Sequence, residues 1–518
     1  MATGARQSSS SVGFAILVLA AALYAIATMV QGIDLRTFLI GAALIYGFVF
    51  LMSLARGLDL LEPIWPALGM WLYSYVIRAY GLAKGGLASY AGVSISYVDR
   101  TAFERTLGLV LLSLFLFVLG YWWVRPFAKP IQIRRAVPGD PQLNNGYLTI
   151  TLTFIVIGGM SFLFILRYLG GLTTLLSSLV DRLETFQGLG YPVILVIASG
   201  AVSATWVVIA YMRGWRKYRL ARTSFLIVSL VYLLLLGGRA RVVTILLVVF
   251  WAWFNFKKPA FRTTKWLALA VFFIVSVGVF AQLRGDPTGG IGAALDRELA
   301  GYGDSGPAGT FLIAPARRTP ELDALTVIVE GVPRKLDYQW GVTFLAPLTA
   351  FIPTRVYEHK LKGASEVFNS TFFSSLYRGG TGTGIRTGGF LGELYMNFGY
   401  VGALGGAFVL GILLRLLYLR LSRYLKPNPD AKQTRHILMY IIAWVHIPQL
   451  IRGEFLGTSI SIIVVGTFSL LSISIAQRKT PSTTIEDNEN RLHHSSGSLG
   501  NSRDVRVSGN VGPEAIRG

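Results

Sequence analysis

Apolar runs of about 20 residues, long enough to cross the hydrocarbon core of a bilayer as helices, recur almost from one end of the chain to the other. They predict spans near 12–31, 36–55, 61–80, 104–124, 147–166, 191–212, 223–238, 240–256, 264–282, 398–419, 434–451 and 457–476. The pattern reads as an all-α polytopic transmembrane bundle of about twelve spans, one membrane domain over 1–476. Two of these spans are weaker than the rest: Pro63 and Pro66 interrupt one, and 223–238 is short. The first run follows only Arg6 and shows no cleavage site, so it is expected to be a retained span. Two stretches break the pattern. Residues 283–397 form one large loop, and 477–518 turn to Ser, Asn, Arg, Gly and His, the composition of a disordered tail.

Charge orients the bundle, because short cytoplasmic connections hold an excess of Lys and Arg. With the N-terminus inside, alternate connections carry Arg125, Lys129, Arg134 and Arg135; then Arg213, Arg216, Lys217, Arg219 and Arg222; then Lys257, Lys258, Arg262 and Lys265; then Arg420, Arg423, Lys426, Lys432 and Arg435. The intervening connections are poorer, with Arg36, then Lys84 and Arg100, then Arg167 and Arg182, then Arg239 and Arg241, then Arg452. Both termini are therefore expected in the cytoplasm and the 283–397 loop outside it.

Composition then removes whole classes of function. Of 518 residues 53% are hydrophobic and only 14% charged, with no cysteine, so thiol catalysis, disulfides, iron–sulfur clusters and cysteine zinc sites are out. The five histidines, His359, His436, His446, His493 and His494, do not fall at metal-ligand spacing, and no metal or other cofactor is expected. Neither a Gly-x-x-x-x-Gly-Lys loop nor a pair of aspartates at i and i+2 occurs, which argues against a nucleotide or a metal-held nucleotide sugar. A net charge of +22 invites nucleic acid, but the cations lie in clusters between spans rather than along one face, so membrane topology accounts for them.

Candidate chemistry collects on the outer side. Leu172, Leu175, Leu176, Leu179 and Leu183 fall at helical spacing within 172–187 and predict an interfacial amphipathic helix, with Asp181 and Arg182 off its apolar stripe. Gly237-Gly238-Arg239-Ala240-Arg241 puts two guanidinium groups at an outer mouth, suited to a bidentate grip on a lipid pyrophosphate or, more plainly, to snorkelling toward headgroups. The large loop opens near Arg284 and Asp286 and carries Arg355, His359 and Lys360 among many cations, a density that suits an anionic substrate. Glu393 lies among apolar and aromatic neighbours in Gly388–Tyr400, as a buried general base or acid would, or as half of a structural Glu–Arg pair. Arg452 and Glu454 flank the last outer turn, close enough in sequence to pair with each other, and His446 reads as a hydrogen-bonded core histidine.

Three stretches together resemble a known family. Tyr338-Gln-Trp-Gly-Val-Thr-Phe344, then Ile352-Pro-Thr-Arg355 with Lys360 beyond it, then Phe390-Leu-Gly-Glu-Leu-Tyr-Met-Asn-Phe-Gly-Tyr-Val-Gly402, look like the oligosaccharide repeat-unit polymerases, or O-antigen polymerases. Thr354 stands where that family usually has a proline before the loop arginine, and Leu361 where a proline follows the lysine. The resemblance implies a GT-C-like enzyme of the bacterial inner membrane, working on its outer face. It would join repeat units carried on undecaprenyl pyrophosphate into O-antigen, exopolysaccharide or capsule chains, with chain-length regulator and flippase proteins as partners. Glu393 would be the base on the acceptor side, with His359 as its substitute and Tyr395 and Asn397 orienting carboxylate or sugar. Arg182, Arg239, Arg241 and Arg284 would hold the donor pyrophosphate, and Arg355, Lys360 and Arg452 would also line the site. Three other functions share the same gross features. An O-antigen ligase uses the same donor with another acceptor; a lipid-linked oligosaccharide flippase or polysaccharide exporter needs a polar path through the spans; a scaffold needs no chemistry at Glu393.

Overall fold

The computed structural model describes residues 31–56, 59, 61–80, 100–124, 141–177, 189–236, 239–257, 321–353, 356–373, 388–424 and 431–478. The span expected at 264–282, all but the last residue of the one expected at 12–31, and all but the first residues of the 477–518 tail lie outside this set. What is described is helical, with no strand among the described residues. In chain order the helices are α1 Leu35–Ala55, α2 Ile64–Trp71 with a π-helical turn at Leu72–Val76, α3 Arg100–Trp123, α4 Pro141–Leu169, α5 Leu172–Ser177, α6 Gly190–Met212 and α7 Arg219–Leu235. They continue with α8 Arg239–Lys257, α9 Glu321–Gly331, α10 Val342–Ala350, α11 Ala364–Phe372, α12 Gly389–Tyr424, α13 Ala431–Arg452 and α14 Phe455–Arg478.

Six of these, α1, α3, α4, α6, α12 and α14, are long and apolar enough to cross a membrane, which makes the chain a multi-pass membrane protein. That is fewer than the twelve spans the hydropathy pattern predicts, and local features account for the difference within the described residues. The α7 helix has 17 residues, and the apolar part of α8 is only Arg241–Phe256. The α13 helix carries Lys432, Arg435, His436, His446 and Gln449 along its length. In the 61–80 run Pro63 caps α2 and Pro66 lies in its first turn, where backbone N–H groups have no intrahelical partner to lose, and the α-helix gives way after eight residues to the π-helical turn at Leu72–Val76. At α1 the cap is Asp34, whose side chain accepts from the Thr37 N–H at 3.3 Å. Of the amphipathic helix expected over 172–187, only α5 falls among the described residues.

Two apolar cores form. One gathers α4, α6, α7, α8, α13 and α14 around Tyr147, Trp206, Trp251 and Tyr440; the other gathers α1, α2, α3, α9, α11 and α12 around Trp71, Tyr75, Phe117 and Tyr121. In the second, α3 and α12 touch backbone to backbone. A Cβ on Gly411 would lie 2.2 Å from the Phe117 carbonyl oxygen, and one on Gly120 equally close to that of Phe408, so small residues set the approach as they do in membrane helix pairs.

Polar contacts sort the helix ends into two groups. At one end the Ile33 N–H donates to Glu104 O, Tyr75 Oη donates to Gly388 O at 2.8 Å, Arg78 pairs with Asp323 at 2.8 Å and Arg452 with Glu321 at 2.7 Å, and Tyr191 Oη donates to Phe351 O at 3.0 Å. At the other, Arg415 donates to Glu62 Oε1 at 3.1 Å and to Val124 O at 3.2 Å, Asn144 reaches Lys217 O, Arg213 reaches Thr434 and Arg435 reaches Gln477. Successive long helices alternate between these groups, and α9, α10 and α11, all from the 283–397 segment, belong to the first.

Candidate active site

The α12 helix is bent at Gly399, whose φ of 63° and ψ of −149° lie outside the range open to residues with a side chain. A bend there interrupts the helical ladder above it. The Gln339 N–H donates to Met396 O at 3.0 Å and the Trp340 N–H to Asn397 O at 3.2 Å, so the Tyr338–Gly341 segment is stitched onto the bend. Tyr338 packs so close to Gly399 that a Cβ would come within 2.9 Å of its hydroxyl. Trp340 (φ 48°) and Gly341 (φ 88°) then turn the chain through left-handed conformations into α10.

Side chains close the same joint. Asn397 donates through Nδ2 to Thr343 Oγ1 and to the Glu393 carbonyl, each at 2.7 Å, while its Oδ1 accepts from the Gly341 N–H at 2.7 Å. Thr343 passes its own proton on, donating to Glu393 Oε1 at 2.9 Å. The other carboxyl oxygen, Oε2, accepts from the Phe455 N–H at 2.6 Å, at the first residue of α14, where a helix leaves a donor free. Glu393 and Asn397 are both 0% exposed. Phe344 stacks on Phe398 and meets Phe455 edge-on at 5.3 Å, sealing the joint with rings. Glu393 thus joins α12 to α10 through Thr343 and to α14 through Phe455.

This geometry changes several expectations. Among the described residues Glu393 has no arginine partner; both of its oxygens are bonded, to Thr343 and to the Phe455 N–H, and the side chain is buried, so in this conformation a substrate hydroxyl has no access to it. Asn397 orients Thr343, the partner of the carboxylate. Tyr395 is buried, its ring 5.2 Å from that of Tyr400. Arg452 and Glu454 do not pair with each other. Arg452 reaches back to Glu321 and lies over the Tyr73 ring at 5.8 Å, whereas Glu454 Oε2 accepts the Ser365 N–H at 2.8 Å at the start of α11. Burial raises the Glu454 carboxyl above its ordinary value, against the lowering effect of the Ser365 hydrogen bonds.

His359 is exposed, on the short segment that follows α10. That segment is held back on α10 by Lys360 Nζ, which donates to Ala350 O at 3.5 Å, and by the Leu361 N–H, which donates to Thr349 Oγ1 at 3.2 Å. Arg239 opens α8 and Arg241 is half-buried in its first turn; Phe225 near the start of α7 lies by Trp206 near the end of α6, and Tyr232 near the end of α7 stacks on Phe162 near the end of α4, so α7 runs antiparallel to α6 and the start of α8 returns to the Tyr191 end. Arg182, Arg284 and Arg355 lie outside the described residues. His446 is a bonded core residue, as expected, with Nδ1 2.6 Å from Ile442 O and Nε2 2.9 Å from Ser461 Oγ.

Sequence reading missed Thr343 and the buried ion pairs Arg78–Asp323 and Arg415–Glu62. Arg78 and Arg415 each stand inside an apolar run, and a charge there has to find a partner or a carbonyl, which was the available signal. Both pairs are buried, with Arg415 between the Tyr121 and Tyr418 rings as well and Arg56 3.6 Å from the second Glu62 oxygen. The large apolar groove of about 810 Å³ between α1 and α3, lined by Leu44, Phe48, Phe115 and Trp122, offers no reactive group. Compared with known proteins, the chain matches no family model, no curated protein and no solved structure.

Proposed function

We propose that the chain is a membrane glycosyltransferase that polymerises oligosaccharide repeat units carried on undecaprenyl pyrophosphate, at the outer face of a bacterial inner membrane. The observation that supports this reading is the joint itself. Two of the sequence stretches that resemble the repeat-unit polymerases, 338–344 and 390–402, are bonded to each other by Asn397, Thr343 and Glu393, and the third continues directly from α10. Residues that carry the resemblance are therefore among those that hold this end together.

In the reaction, a hydroxyl at the nonreducing end of one lipid-linked unit attacks the anomeric carbon of the donor glycan, the bond from that carbon to the pyrophosphate breaks, and the lipid pyrophosphate leaves with the electron pair. The hydroxyl proton passes to a base. With Glu393 enclosed, we assign it to positioning and give the base role to His359, which is exposed and anchored through its neighbour Lys360. Arg239 and Arg241 would meet the leaving pyrophosphate with fork-shaped donors.

The test is extension of a lipid-pyrophosphate oligosaccharide by purified protein in liposomes. A ladder of longer glycans is the expected product, absent or slowed by roughly 10²–10⁴-fold in His359→Ala, the worth of a positioned base. Glu393→Gln should keep most of the activity, because an amide can still accept from Phe455 and donate to Thr343. Loss in Glu393→Gln with a stable fold would return the base role to Glu393. Failure of the wild-type protein to make any ladder would overturn the polymerase reading.

A further inference from the structure

We propose that α10 and the segment following it are seated in the membrane interface, with one face in contact with lipid acyl chains. Their polarity is inverted relative to a helix in water. On α10 the side chains turned outward are Val342 (42% exposed), Leu345 (51%) and Leu348 (73%), at i, i+3 and i+6, with Ile352 continuing the stripe. The inward face holds Thr343, which hydrogen-bonds Glu393, together with Ala346 and Pro347. A helix whose two hydroxyls, Thr343 and Thr349, are both hydrogen-bonded within the protein and whose exposed side chains are all aliphatic matches an apolar solvent.

Three further observations name that solvent as lipid. The stripe is continuous with the outward faces of spanning helices: Trp340, 74% exposed, meets the Phe398 ring at 6.4 Å, and beyond the Gly399 bend Val401 is 82% exposed on α12. The segment also crosses the ends of three long helices, bonding α12 through Asn397, packing Phe344 on Phe455 of α14, and accepting from Tyr191 of α6 at Phe351 O. It therefore lies where a bilayer's interface must be if those helices span it. Finally, exposed Arg334 and Lys335 precede the stripe and exposed Lys362 follows it, with Trp340 and Tyr357 at its two ends, the aromatic and cationic flanks of an interfacial element. This inference rests on the multi-pass character of the chain and stands apart from the polymerase reading, because its test measures depth and not glycan synthesis.

The absence of cysteine makes single-cysteine labelling direct. Leu345→Cys, Leu348→Cys and, as the aqueous reference, Lys335→Cys would each carry an environment-sensitive fluorophore on the full chain, reconstituted in phosphatidylglycerol and phosphatidylcholine vesicles. Spin labels placed near the top of the acyl chains should quench the probes at 345 and 348 several-fold more than the probe at 335, and iodide should do the reverse. All of these side chains are at the surface, so labelling disturbs no packing. Iodide quenching at 345 and 348 equal to that at 335 would overturn the proposal, and so would insensitivity to both quenchers, the mark of a covering protein or second copy.

Discussion

At the scale of single residues, this end of the protein is a chain of donors and acceptors with almost no slack. Asn397 uses both ends of its amide, Thr343 both accepts and donates, and Glu393 receives at both oxygens. Thr343→Val keeps the shape but deprives Glu393 Oε1 of its donor and Asn397 of an acceptor, so it should cost about 1–3 kcal/mol. Unfolding in mixed detergent micelles would measure this, and a cost near zero would mean that water fills the gap. A pH effect belongs to Glu454, whose folded carboxyl is raised by burial. A raised acid contributes its stability below the unfolded value and loses it as pH climbs through the folded one. Glu454→Gln should therefore match the wild type in acid and become relatively more stable as pH rises toward neutrality. A difference that stays constant across that range would contradict the sign.

At the scale of elements, the bend in α12 organises the site. Gly399→Ala forces a side chain into a conformation reserved for glycine and drives a Cβ against Tyr338, so we expect a loss of roughly 1–3 kcal/mol and release of the Tyr338–Gly341 segment from the bend. Enhanced proteolysis between α9 and α10 in the variant would report that release, whereas unchanged cleavage would mean that the side-chain bonds hold by themselves. Hydropathy could place the apolar part of α12, because its period and length are written in consecutive residues. It could not place the helix start at Gly389, since the ten residues before Gly399 pack on α9 and on the Tyr338–Gly341 segment, contacts that come from distant parts of the chain. Glu393 and Asn397 were legible as polar residues in an apolar setting. Their partners were not: Thr343 lies 50 residues away from Glu393, and the Phe455 donor is a backbone N–H that no side chain announces. For the same reason Arg452 and Glu454, neighbours in sequence, point to different elements.

At the scale of the whole molecule, two independent regularities agree. Lys and Arg crowd alternate connections along the chain, and the polar contacts divide helix ends into two groups along the same alternation: 56–62, 124, 144, 213–217, 415 and 434–435 together, against 32–33, 75–78, 104, 191, 321–323, 388–397 and 452–455. Charge counting uses no contact, and contacts use no charge rule, so the agreement is more than one signal seen twice. The basic group contains Arg213, Arg216, Lys217, Arg219 and Arg222 and should face the cytoplasm, where the excess of cations is retained. The other group carries α9, α10, α11 and the Glu393 joint and should face outward. Single cysteines at Lys217 and Lys335 decide the matter. Intact cells treated with a membrane-impermeant maleimide should label Lys335→Cys and leave Lys217→Cys unlabelled until the membrane is opened. Labelling of both in intact cells, or of Lys217→Cys alone, would either break the alternation or invert it, and an inverted chain would put the Glu393 end in the compartment where no lipid-linked glycan is polymerised under the proposed function.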